Sequence, residues 1–94
     1  MKNEIIKVNT ELVKIANVEE RESKHGGTYK LVTVVDTVDM EQHVFCDRTA
    51  GLVKYDKDDL GTFKLKIELK SWQSEGKWRQ GYEINVIGFH KAET

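Results

Sequence analysis

Residues 62–70 read Thr-Phe-Lys-Leu-Lys-Ile-Glu-Leu-Lys, an unbroken alternation of polar and apolar side chains. Successive side chains of an extended chain point to opposite faces, so Phe63, Leu65, Ile67 and Leu69 share one side and Thr62, Lys64, Lys66, Glu68 and Lys70 the other. The pattern predicts a strand with one face on a core and one in water. Upstream, Tyr29–Asp36 (YKLVTVVD) is rich in β-branched residues with apolar groups on both phases, which predicts a central strand covered on both faces. Glu4–Ala16 carries Ile6 and Val8 on one phase and Val13 and Ile15 on the other. A long first strand is therefore predicted, with a bulge or sharp bend near Glu11 and Leu12.

Two shorter strands complete the set. His43–Cys46 should pair back on the central strand through the polar turn near Val38 to Glu41, and Tyr82–Phe89 (YEINVIGF) should close the chain. The long stretch without a strand pattern is Asp47–Leu60, where Asp47 or Thr49 stands where a helical turn would be capped and Gly61 where it would end. Five strands joined by hairpins, with one extended connection and no room for a layer of helices, favour a closed all-β design. The expected fold is a five-stranded OB-like barrel with a protruding C-terminal hairpin, with an SH3-like barrel or a small sandwich as alternatives. Closure also removes free sheet edges, which a chain without proline must otherwise protect.

Composition bounds the rest. Ninety-four residues, 38% apolar and 33% charged, form a thin core under a large polar shell, so residues 1–94 are expected to be one domain. So small a core has little stability to spare without disulfides or metal, which makes a homodimer an expected supplement. Cys46 is the single cysteine, no intramolecular disulfide is possible, and a reducing cytoplasm is the expected location. The N-terminal sequence MKNEIIKVNTELVKIA has no apolar run of signal-peptide length, and no window approaches the about 20 apolar residues of a membrane span.

A net charge of −1 gives no support by itself to a polyanionic partner, but the charges are segregated. Residues 62–80 hold five cations (Lys64, Lys66, Lys70, Lys77 and Arg79) against two carboxylates, whereas residues 39–59 hold six carboxylates against three cations. The basic stretch contains WQSEGKWRQGY (72–82) and with it both tryptophans. Trp72 continues the phase of Lys64, Lys66 and Lys70, on the solvent side of the strand. A large ring among ammonium groups suits single-stranded nucleic acid, because the charges track phosphates while the ring stacks on any base. The structural alternative is a cross-strand Trp72–Trp78 pair stabilising its own hairpin. Trp78 shares parity with Tyr82, Ile84 and Val86, so only a bulge near Gly81 would turn it outward.

A second stretch, SKHGGTY (23–29), places two glycines after Lys24 and His25, a flexible hairpin tip leading into Tyr29. It is not a phosphate-binding glycine loop, because no strand–helix context or Lys-Ser/Thr follows. With these motifs the chain resembles the single-stranded DNA-binding proteins of filamentous bacteriophages, small dimeric OB-fold proteins. The resemblance spans roughly residues 15–90 as a pattern: a basic tip running into Gly-x-x-Tyr (GGTY), a long acidic-polar connection, Gly61 and Phe63 opening an alternating strand, then a protruding hairpin with an aromatic near its tip. It implies that Lys24 contacts phosphate, that Tyr29 stacks on a base, and that Trp72 or Trp78 stands for the hairpin aromatic. The family's further stacking tyrosines have no clear counterpart; Thr37 and Phe45 lie nearest.

The expected activity is sequence-nonspecific binding of single-stranded DNA in phage or mobile-element replication. Arg21, Lys24, Lys64, Lys66, Lys70, Lys77 and Arg79 would neutralise phosphates, and Tyr29, Phe45, Trp72 and Trp78 would stack on bases. Two other functions fit the same residues: a protein-interaction module in which the Trp72/Trp78 hairpin is buried against another chain, and an RNA-binding barrel. No catalytic residues, cofactor or metal are expected. His43-x-x-Cys46 falls short of the four ligands of a structural zinc site. Asp56-Lys57-Asp58-Asp59-Leu60-Gly61 opens like a calcium loop but has Leu60 at a ligand position and Ile67 where the bidentate glutamate belongs. No serine nucleophile elbow is present, and Cys46 with His43 makes a poor nucleophile–base pair.

Overall fold

A computed structural model describes residues 5–24 and 26–92. The described residues are all-β and contain no helix: β1 (Ile5–Asn9), β2 (Val13–Glu22), β3 (Thr28–Asp36), β4 (Gln42–Asp47), β5 (Leu60–Ser74) and β6 (Lys77–Lys91). Six strands replace the expected five because the long first strand is broken. The chain turns at residues 10–12, where the apolar phase switches, and a second irregularity between Ile15 and Asn17 switches it again.

The strands form one sheet of order β1-β5-β2-β3-β4-β6, and a further pairing of β5 with β6 brings it round into a ring. Two short seams close that ring. β2 meets β5 through Val13–Gly61 and Lys14–Leu60, and β4 meets β6 through the parallel pair Cys46–Asn85. The glycine at 61, which pairs with Val13 at the first seam, is required by the strand on its other side: a Cβ there would overlap the His90 carbonyl and the Phe89 ring of β6, so no side chain fits.

Inside the ring sit Val13, Ile15, Val32, Val34, Phe45, Phe63, Leu65 and Val86. Phe63 is at their centre, edge-on to Phe45 at 5.8 Å and to Tyr55 at 5.6 Å, and tilted against Phe89 at 4.6 Å. The inward phase of β5 is thus the one its alternation predicts. β3 differs from expectation. Val32 and Val34 are fully buried, but Leu31, Thr33 and Val35 are only half-buried, because their face carries no second layer.

Residues 48–59 connect β4 to β5 without forming the short helical turn that Asp47 or Thr49 could cap. Asp47 does accept cap-like bonds from the Thr49 amide and hydroxyl, at 2.8 and 2.6 Å. The helix fails to propagate because Ala50 and Gly51 adopt left-handed backbone, at φ 55° and 85°, and because Tyr55 is drawn inward. Its hydroxyl donates to the Asp47 carboxylate, which is buried in the ring.

Beyond the core β5 and β6 continue together as an arm, giving the molecule extents of 51 × 27 × 22 Å. Among the described residues β1 borders the arm as far as Glu68, and from Leu69 outward two described strands make up the arm. Its tip is a two-residue turn with Glu75 at φ 52° and Gly76 at φ 76°, the twist-matched hairpin type that demands positive φ at both positions.

Candidate functional site

In an antiparallel ladder, residues directly opposite each other share a face. On the arm the pairs Leu65–Val86, Ile67–Ile84, Leu69–Tyr82, Ser71–Gln80 and Gln73–Trp78 continue the core face, while Lys66–Asn85, Glu68–Glu83, Lys70–Gly81, Trp72–Arg79 and Ser74–Lys77 continue the outer one. The two tryptophans therefore lie on opposite faces and do not form the cross-strand pair considered above. No bulge interrupts the register at Gly81. Trp78 keeps the phase of Tyr82, Ile84 and Val86 and is nevertheless 74% exposed, since the arm has outrun the core. Tyr82 is exposed on the same face for the same reason.

The outer face is continuous across the β4–β6 seam. The ladders put Arg21 opposite Tyr29 and Leu31 opposite Cys46, and Cys46 meets Asn85, so Tyr29, Arg48, Glu83, Lys70 and Trp72 share one surface. The Arg48 guanidinium lies over the Tyr29 ring at 4.7 Å and its Nε donates to Glu83 Oε1 at 2.9 Å. Lys70 Nζ contacts the other oxygen, Glu83 Oε2. Hydrogen bonding from Lys70, with Arg48 adding to it against a partial burial cost, holds the Glu83 carboxyl down at about 2. The same bond to Glu83 raises the pKa of Arg48 further.

Trp72 lies across the backbone of Gly81: a Cβ there would meet the indole at 3.0 Å. The glycine gives the ring a flat seat, and the side chain remains 46% exposed. Lys70, Trp72, Gly81 and Glu83 line a shallow depression at the root of the arm.

The other expected contacts are spread unevenly. Phe45 is a correction: it is 6% exposed and packed edge-on to Phe63, so it belongs to the core and has no face open to a base. In β4 apolar residues occupy both phases, and pairing with Val32 turns Phe45 inward. Lys66 is tied to Glu68 at 2.8 Å and Arg21 to Glu19 at 3.2 Å. Lys24 is exposed in the turn between β2 and β3, and Lys64, Lys77 and Arg79 are exposed along β5 and β6. His25 lies outside the described residues.

Arg48, Glu83 and Asn85 were not singled out by sequence reasoning. Arg48 carries a faint signal, since it keeps the phase of Cys46 just past the strand. Its partner Glu83 is 35 residues away across a seam that no local pattern reveals. Among the described residues no group of three or more His, Cys, Asp and Glu side chains could hold a metal ion. His43 and Cys46, three apart on β4, point to opposite faces. Burial pushes the Cys46 thiol pKa up, which disfavours the nucleophilic thiolate. No helix is long and apolar enough to cross a membrane, among the described residues. Compared with known proteins, the chain matches no family model and no curated protein.

Proposed function

We propose that the protein binds single-stranded nucleic acid, DNA in the first instance and with little sequence preference, along the outer face of an OB-like barrel and its arm. The observation that carries this reading is that Tyr29 and Trp72 share a surface with Arg48, Lys70 and Arg79, rings interleaved with cations. The barrel reading is supported by the ring order and by its single parallel seam between β4 and β6, features in keeping with a Greek-key barrel. The resemblance to phage proteins directs the reading toward replication of a phage or mobile element, in a reducing cytoplasm.

The test is a titration with oligo-dT, followed by tryptophan fluorescence at several salt concentrations. Four of the expected phosphate ligands, Lys24, Lys64, Lys77 and Arg79, make no ion pair among the described residues. If each meets one phosphate, the log–log salt slope is about −3, at roughly −0.7 per phosphate on a single strand. Trp72→Ala should weaken binding by ~1–3 kcal/mol, the worth of one stacked base. An affinity indifferent to salt, or a Trp72→Ala variant that binds as the parent does, would defeat the proposal. Oligo-U in competition reports whether the 2′-hydroxyl matters.

The inner face of the arm favours a second role, association with another copy of the chain. Trp78, Tyr82 and Ile6 are exposed there beside Ile67 and Leu69, an apolar surface of the kind that pairs chains. Sedimentation of Trp78→Ser checks it. A dimer that becomes monomeric supports the assignment, and a parent that sediments as a monomer at every concentration refutes it.

A further inference from the structure

Two cations converge on one carboxylate at the root of the arm. Arg48 Nε reaches Glu83 Oε1 at 2.9 Å and Lys70 Nζ contacts Oε2, and Asn85 lines the same depression beside them. The whole cluster lies beside the Tyr29 ring on which Arg48 rests. Asn85 shows that the arrangement has a cost. Its Oδ1 is buried without a partner among the described residues. Glu83 itself stands directly opposite Glu68 on the neighbouring strand, a like-charge juxtaposition that pairing alone disfavours.

A donor nest of this composition fits any oxyanion, and two oxygens bridging a guanidinium and an ammonium is the geometry of a phosphodiester as much as of a carboxylate. We infer that Arg48, Lys70 and Asn85 form a phosphate subsite that the protein's own Glu83 occupies in the free state, and that a nucleic-acid phosphate displaces Glu83 when the strand binds. This rests on the nucleic-acid reading above and adds to it a ligand set that includes two residues, Arg48 and Asn85, outside the expected contacts. The displaced carboxylate returns to water, where its side chain is already partly exposed. The phosphate takes over both cations, with the Asn85 amide beside it. Tyr29 then lies one step from that phosphate, placed to stack on the adjoining base once Arg48 shifts toward the strand.

An internal counterion of this kind makes a distinctive prediction, because removing an acid should tighten binding and steepen its salt dependence. Glu83→Gln keeps the shape and the amide's hydrogen-bonding capacity while removing the competing charge. Its affinity for oligo-dT at low salt is expected to rise about tenfold, the scale of one charge-assisted bond set free. The log–log slope should steepen by about 0.7, because no freed carboxylate then takes up a counterion as the phosphate releases its own. In Glu83→Gln/Arg48→Gln the gain should vanish. Circular dichroism confirms that each variant keeps its strands. An unchanged or weakened Glu83→Gln, alongside a parent that binds oligo-dT with the expected salt slope, overturns the subsite and leaves the nucleic-acid reading standing. Inorganic tripolyphosphate, titrated against the Asn85 side-chain amide signal by NMR, separates the converse case. If no oligonucleotide binds but tripolyphosphate shifts that signal, and does so more tightly in Glu83→Gln, the anion site stands and the nucleic-acid reading falls. If Glu83→Gln gains affinity for neither probe, the subsite is wrong.

Discussion

Tyr55→Phe isolates one bond that ties the long connection to the ring. In the parent the Tyr55 hydroxyl donates to Asp47 Oδ2, while the Thr49 amide and hydroxyl serve Oδ1. The Phe ring retains the edge-on contacts with Phe63 and Phe89, at 5.6 and 6.0 Å, so packing is conserved. What is lost is a bond to an ionised acceptor, worth ~1.5–3 kcal/mol. Asp47 is 2% exposed, so water cannot readily replace the lost donor and the upper half of that range applies. For a domain of this size each kcal/mol moves Tm by about 4–8 °C, which gives a fall of roughly 8–24 °C for 2–3 kcal/mol by calorimetry or near-ultraviolet circular dichroism. The same bond has an alkaline signature. Burial, then the bond to Asp47, raises the Tyr55 phenol well above its ordinary value of about 10. A raised folded value means that the folded state holds the proton longer, so this stability is complete below about pH 10 and lost as pH climbs toward the folded value. Tyr55→Phe should lack that alkaline loss. A variant melting within about 2 °C of the parent would show that the connection is held by ring packing alone.

Three further outcomes follow from single positions. Gly61→Ala forces a methyl into the His90 carbonyl and the Phe89 ring, and should cost at least about 2 kcal/mol in urea unfolding. Glu75→Asn, at φ 52° in the arm's turn, replaces a residue that resists left-handed backbone with one that tolerates it, and should stabilise by about 0.5 kcal/mol in the same assay. Glu83, held down at about 2 by Lys70 and Arg48, contributes stability that is complete above its unfolded value near 4.3 and lost as pH falls from there toward 2. Glu83→Gln should flatten that acid limb of the Tm profile.

The strands were legible where burial imposes a period and illegible where it does not. Residues 62–70 sit against the core for half their length, and their alternation gave both strand and face. The stretch 71–81 belongs to the same two strands but borders no core, so its mixture of Ser, Gln, Trp and Arg has no period to read. The second half of β2, Asn17–Glu22, escaped for the same reason: among its six residues Val18 packs on the core and the rest face water. Faces were harder than strands. β4 carries apolar groups on both phases, so Phe45 could be assigned inward only once its pairing with Val32 was seen. The outer-face cluster was the least legible part, because Tyr29, Lys70 and Glu83 come from three strands and Arg48 from just past a fourth, and they meet only through the ring's closure. The basic residues were visible, but not that acids neutralise Lys66 and Lys70.

The arm couples its two faces. From Leu69–Tyr82 to Ser74–Lys77 it is, among the described residues, a two-stranded ribbon, and an isolated hairpin of that kind is marginally stable in water. Anything that covers Trp78 and Tyr82 orders the same backbone that presents Trp72, Lys77 and Arg79, and a strand seated on Trp72 orders the backbone beneath Trp78. Each occupant then lowers the ordering cost left for the other, which is positive linkage and therefore reciprocal. If copies of the chain associate through the apolar face while nucleic acid takes the basic one, binding of short oligo-dT should tighten as protein concentration passes through the association range. Association should tighten in turn when the oligonucleotide is present. A substitution that abolishes association, Trp78→Ser, should leave Trp72 on its seat over Gly81 and still weaken oligonucleotide binding, by a factor that disappears at protein concentrations too low for the parent to associate. Equal affinities for parent and Trp78→Ser at every concentration would mean that the ribbon is rigid without help, and that its two faces act independently.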